Sequence, residues 1–341
     1  MPEGTVKKAD HAKLKEAEKL YNSFLSYTRS LFSKYPDEKE AFNIISVSKQ
    51  IKYVWNSLRN DLRFLIRVQH LAVHRDENYI ASHSARSCII SIVIGMYLKL
   101  PNHRLIELGI AALFHDMGML TLPPELYLSN RILTEQEKKL LYTHPVQSYR
   151  IVQSFNYPPS VCDAVIQHHE RENGSGYPRN FKGKQISTYG KIIGVACSYD
   201  ALSAKRHHKE AKDHHTGIVE LLNNKEKQYD NACIRALVYS LSLYPIGLFV
   251  LLSNGNKGQV IDVNPQAPRF PVVQIFEKLY PGEKRRTVQT AENEIVIVRP
   301  LDRDEIFALD TSEPPPPLTS TDRPRFSDPF PQKPFISKRG H

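Results

Sequence analysis

Residues 103–119 read HRLIELGIAALFHDMGM. Leu108, Ala111 and His115 fall at spacings of three and four residues, so they share one stripe of a helix, and the stripe is apolar. His115 therefore points into the core, with Asp116 beside it where the helix ends. The same pattern recurs along the chain. His168 follows Val161, Ala164 and Val165 at seven, four and three residues, and His144 follows Leu140 and Leu141 at four and three. His83 precedes Ser87 and Ile90 on a similar helix, and His169 adjoins His168. One histidine on an apolar face is usually a satisfied core residue. Five of them spread over several apolar helices, with Asp116, are another matter: burying that many rings without partners is costly, and a shared metal ion compensates them together. Imidazole with carboxylate suits Fe, Mn or Zn, ions that activate water at neutral pH.

The rest of the chain sets the frame. Its 341 residues allow one large domain or two, and 41% hydrophobic with 24% charged residues is ordinary for a soluble globular protein. The longest nearly apolar run, Ile89 to Leu98, is about half the roughly 20 residues of a membrane span, and no signal-peptide h-region opens the chain. Cys88, Cys162, Cys197 and Cys233 lie far apart without a CxxC pair, which points to reduced thiols in the cytoplasm. The formal charge of +10 suits an anionic partner such as a nucleotide, but the basic residues are spread out, which argues against nucleic acid.

Residues 1–75 read as an N-terminal region of amphipathic helices, and helices continue to about 243. Thr134 and Glu137 form a capping box that opens a helix running toward Phe155. From about Tyr244 the composition changes to strands around Asn254-Gly255-Asn256, with two further strands in PRFPVVQIF and ENEIVIVRPL. The tail from 311 to 341 is proline-rich and reads as disordered. The expected fold is mainly α: a helical bundle with a small C-terminal β-hairpin appendage.

These residues resemble the HD-GYP family, a branch of the HD-domain phosphohydrolases. ENYIASHSARS, ALFHDMGM, TLPPELYLSNRILTEQEKKLLYTHP, HHERENGSGYP, GKIIGVACSYDALSAKRHHKEA and YPIGLFVLLSNGNKGQVIDVNPQAPRFPVV match its segments in order, over residues 76–300. The resemblance implies a cyclic di-GMP phosphodiesterase that cleaves the 3'-5' phosphodiester with a metal-activated hydroxide. It implies Asp116 and His115 as catalytic residues, with His83, His115, Asp116, His144, His168, His169 and, by position, Cys197 around the metals. Tyr79 stands where three-metal members carry glutamate, so two divalent ions are implied. Tyr177, Arg206, Lys209 and Asp200 are placed toward the substrate. Implied partners are cyclic di-GMP, signalling proteins that dock on the GYP surface, and a second copy of the chain.

The chain also departs from the family pattern. Met119 stands in place of the lysine of HDxGK, Ser129 in place of a second lysine, Cys197 in place of a metal-binding aspartate, and Asn173 in place of an aspartate before GSGYP. A cysteine thiolate binds Zn or Fe, so Cys197 changes the metal preference without abolishing the site. As plain structure, Cys197 is a small buried helix residue, Met119 a gap filler and Asn173 a turn residue. Two functions follow from these residues. One is an active phosphodiesterase. The alternative is a degenerate receptor or scaffold that binds cyclic di-GMP without turnover.

Overall fold

The computed structural model describes residues 3–60, 78–128, 131–203 and most of 221–309. The chain divides into two compact units, Lys8–Leu243 on one hand and Met1–Lys7 with Tyr244–His341 on the other. The first unit is helical. It contains α1 (Glu3–Phe32) from Lys8 onward, α2 (Ile44–Asn60), α3 (Tyr79–Tyr97), α4 (Asn102–Phe114), α5 (Glu125–Leu128), α6 (Glu135–Leu141), α7 (His144–Ser154), α8 (Pro159–Gln167), α9 (Thr188–Ser203) and α10 (Asn231–Ser240).

The α3 helix is the hub and packs on α4 and α9. Asn78 starts it by accepting a hydrogen bond from the Ala81 amide at 3.2 Å. This helix has the length and apolar character of a membrane span, but 83% of its apolar window is buried inside the bundle. It is a core helix of the bundle.

The N-terminal helices do not stand apart from the bundle. Phe42, in a short 3-10 turn between α1 and α2, stacks on Phe155 at 4.8 Å and lies 6.1 Å from Phe114. Phe114 also meets Phe32 and the edge of Tyr157, whose hydroxyl donates to the Phe42 carbonyl at 2.7 Å. Each such ring pair adds about 0.5–1.5 kcal/mol beyond its burial. The N-terminal helices and the rest of Lys8–Leu243 thus share one core.

The capping box is present: Thr134 caps Glu137, and Glu137 returns a bond to the Thr134 amide. The helix it opens does not run through to Phe155. It breaks at Tyr142-Thr143 because Pro145 has no N–H to continue the ladder and its ring disfavours helix just before it. The chain restarts at His144, which is thereby set at a helix end.

The second unit is a five-stranded antiparallel sheet, ordered β4-β3-β2-β1-β5, with β1 (Phe249–Leu252), β2 (Lys257–Asp262), β3 (Val272–Ile275), β4 (Thr287–Gln289) and β5 (Ile297–Pro300). The β1–β2 turn falls at Asn254-Gly255-Asn256, with Gly255 at φ +85 and its amide bonded to the Leu252 carbonyl. The sheet is larger than a hairpin. β3 and β5 are the strands expected from PRFPVVQIF and ENEIVIVRPL, whereas β4 is only three residues long and leaves little alternation to read. The proline-rich tail lies outside the described residues.

Candidate metal centre

Three histidines are fixed by one local device. A helix leaves its last carbonyls without intrahelical partners. His115 follows the last turn of α4, and its Nδ1 donates to the Ala112 carbonyl at 2.8 Å. His168 follows α8, and its Nδ1 donates to the Val165 carbonyl at 2.6 Å. His144 donates from Nδ1 to the Leu141 carbonyl at 2.7 Å, the carbonyl that Pro145 cannot use. A carbonyl only accepts, so each Nδ1 carries the proton and each neutral ring presents a lone pair at Nε2.

Those lone pairs converge on Asp116. Oδ1 of Asp116 lies 3.3 Å from His144 Nε2 and 3.4 Å from His168 Nε2, and Oδ2 lies 3.5 Å from His115 Nε2 and 3.6 Å from His83 Nε2. His144 Nε2 and His168 Nε2 are 3.3 Å apart. Among the described residues His115 Nε2 and Asp116 Oδ1 are buried without a hydrogen bond. Burial pushes His115 down to about 3 and lowers His168 and His169 as well, so these rings resist protonation. A carboxylate ringed by imidazole lone pairs is mutually unsatisfying without a cation. A divalent ion fits this donor set.

The donors fall into two groups, each within 4.8 Å: Asp116, His144, His168 and His169 in one, His83, His115 and Cys197 in the other. The Asp116 carboxylate faces both. Gly118 makes this closeness possible, since a Cβ there would lie 2.2 Å from the His144 carbonyl oxygen and 2.6 Å from the Ser148 amide. The Gly118 amide instead donates to Ser148 Oγ at 2.7 Å, tying the turn after Asp116 to α7.

His83 is held differently. Its Nδ1 donates to Asp200 Oδ2 at 2.6 Å, and Arg86 donates to the same carboxylate through Nε at 2.5 Å and Nη2 at 3.1 Å. Burial lowers His83, but Tyr79, Cys197 and Asp200 outweigh it and raise the ring well above 6.5, making Nε2 a stronger donor to a cation. Asp200, expected at the substrate, is 1% exposed, and its carboxylate meets His83 and Arg86. Sequence reading missed Arg86, although its position three residues after His83 puts both on one helix face.

The GYP loop folds back on the centre. Tyr177 stacks on His169 at 4.7 Å and on Tyr142 at 4.3 Å. Glu170, also missed, pins the loop by accepting from the Arg179 and Phe181 amides at 2.7 and 2.9 Å. Asn173 makes the turn, its Oδ1 accepting from the Ser175 amide. Met119 is half-buried in the 3-10 turn after Asp116. Arg206, Lys209 and Ser129 lie outside the described residues.

A family model described as an HD domain matches residues 62–233, half of the chain. The chain belongs to the HD domain family. The match takes in all seven residues of the two donor groups, and the HD-GYP resemblance holds. The HD domain is similar to the cyclic di-GMP phosphodiesterase PdeB of Borreliella burgdorferi, 27% identical over 201 residues, covering 59% of this chain and 53% of that protein. It is also similar to the cyclic di-GMP phosphodiesterase PA4108 of Pseudomonas aeruginosa, 28% identical over 218 residues, covering 64% and 51%. The matched stretch thus spans about half the length of these curated relatives. Among solved structures, Bd1817 of Bdellovibrio bacteriovorus, an HDG"Y"P protein, shares the fold with a TM-score of 0.56 at 18% identity, covering 66% of this chain and 71% of that one.

Proposed function

We propose that this HD domain is a metal-dependent cyclic di-GMP phosphodiesterase of the HD-GYP type, acting in the cytoplasm. The observation that carries the reading is the Asp116 carboxylate placed between two groups of buried donors, with Oδ1 toward His144 and His168 and Oδ2 toward His115 and His83. The substrate class comes from the named relatives. Two divalent ions, Fe or Mn with Zn as a third choice, would be held by His83, His115, Asp116, His144, His168, His169 and Cys197. Bound there, they supply water acidified to neutral pH and positive charge for the phosphodiester.

The chain's own residues do the rest. The Ala112, Leu141 and Val165 carbonyls keep the protons of His115, His144 and His168 on Nδ1, so Nε2 stays available. Asp200, braced by Arg86, does the same for His83. Burial, reinforced by Asp116 and Cys197, raises Tyr177, so its phenol stays neutral and able to donate to a phosphate oxygen. The stack on Tyr142 and His169 holds that ring at the rim. Arg206 and Lys209 are assigned to the phosphates of the dinucleotide.

The experiment is hydrolysis of cyclic di-GMP by protein purified without oxygen and loaded with Mn²⁺ or Fe²⁺, beside a His115→Ala variant. Linear product formed by the wild type alone is expected. Ligand bound without turnover would replace the enzyme by a receptor.

A further inference from the structure

We propose that the two halves of the centre differ in donor chemistry, and that His83, His115 and Cys197 form a thiolate subsite selective for a soft ion such as Zn²⁺ over Mn²⁺ or Mg²⁺. The inference rests on the metal-dependent reading above and extends one half of it.

Cys197 alone would be a small buried side chain and nothing more. Its surroundings point further. Sγ lies 3.4 Å from His83 Nε2. On the same face of α9, three residues on, Asp200 Oδ2 takes the other nitrogen of that ring at 2.6 Å. The helix thus grips one imidazole from both sides, with the carboxylate at Nδ1 and the sulfur at Nε2. The second, independent observation is His115, fully buried, its Nδ1 committed to Ala112 and its Nε2 without a hydrogen-bond partner in the same space as Sγ and His83 Nε2. Packing accounts for a buried cysteine but not for an orphaned imidazole nitrogen aimed beside it.

The opposite half offers Asp116, His144, His168 and His169, with nitrogen and oxygen donors only. With Asp116 Oδ2 shared, the Cys197 half offers two nitrogens, one sulfur and one oxygen, a donor number and type that suit Zn²⁺. Thiolate adds little for Mn²⁺ or Mg²⁺, which favour oxygen. Binding forms a sulfur–metal bond and releases the thiol proton to solvent, so the cysteine enters as thiolate.

The test loads metal-free protein with Co²⁺ under anoxic conditions and reads near-ultraviolet absorbance with metal stoichiometry. The wild type is expected to bind two equivalents and to show a sulfur-to-cobalt charge-transfer band. That band should vanish in Cys197→Ser and Cys197→Asp and persist in His144→Ala, which disrupts the other half. In competition, Cys197→Asp should lower the Zn²⁺-over-Mn²⁺ preference at one equivalent by at least about tenfold, the least that disturbing a metal shell costs. Two equivalents of cobalt without the band, or a band unchanged in Cys197→Ser, would overturn the thiolate subsite and leave the metal centre standing. No cobalt bound by folded wild type would overturn both.

Discussion

The two sides of Asp116 are built by different means. On the Oδ1 side, His144 and His168 are each fixed by a carbonyl three residues back in their own chain segment. On the Oδ2 side, His115 uses the same local device, but His83 depends on Asp200, 117 residues away, which Arg86 braces and Cys197 accompanies. Arg86 in turn reaches the Tyr21 hydroxyl of α1 at 3.4 Å. A side built from helix ends is secured once its helices form. A side built from long-range partners is secured only by the assembled bundle, and it extends to the N-terminal helices.

The comparison breaks most completely at the residue both sides share. Asp116→Asn removes the negative charge from the middle of the donor set, and both ions should be lost. Turnover should fall on the order of a thousandfold, about 4 kcal/mol of barrier, measured alongside metal content by emission spectrometry. A variant that keeps its metals would show that Asp116 is not the carboxylate the two halves share.

Next come the braces of the long-range side. Arg86→Ala should weaken metal affinity at the His83 half by about 10- to 100-fold, read by chelator competition, while the His144 half retains its ion. Arg86→Lys should restore only part of this, since an ammonium cannot match the two-pronged contact with Asp200. Equal loss at both halves would erase the distinction.

Acid tests the local devices together. His115, at about 3 in the fold, and the lowered His168 and His169 bind fewer protons folded than unfolded. Their contribution to stability is complete above about 6.5 and is lost as pH falls toward 3. His83, raised in the fold, is charged in both states below about 6.5 and so adds nothing to this slope. Metal-free protein should therefore lose denaturant stability between pH 6.5 and 4, and metal-loaded protein should release its metal over the same range. Flat stability across that interval would mean that the rings are already charged.

The smallest effect belongs to the rim. Tyr142 is 47% exposed and meets the centre through its stack on Tyr177. Tyr142→Ala should cost no more than about 1.5 kcal/mol of transition-state binding, showing in KM before kcat.

What the sequence disclosed follows the same division. His115, His144 and His168 were legible because periodicity, helix ends and one proline are local, and the motif HHERENGSGYP carries its own turn residues. The break before His144 could have been read from Pro145. Asp200's service to His83 could not, since sequence spacing does not tell which distant carboxylate meets which imidazole. Nor could the union of α1 and α2 with the bundle be seen, because it rests on Phe42 and Tyr157, 115 residues apart. The larger sheet was half visible: its hairpin turn is explicit, while β4 is too short to announce itself.

The most direct test of the account is anomalous diffraction from crystals grown with Co²⁺, the ion expected to fill both halves. Two peaks flanking the Asp116 carboxylate, one toward His144 and His168 and one toward His83 and His115, are predicted. A single peak off the carboxylate, or none among these histidines at saturating metal, would contradict it.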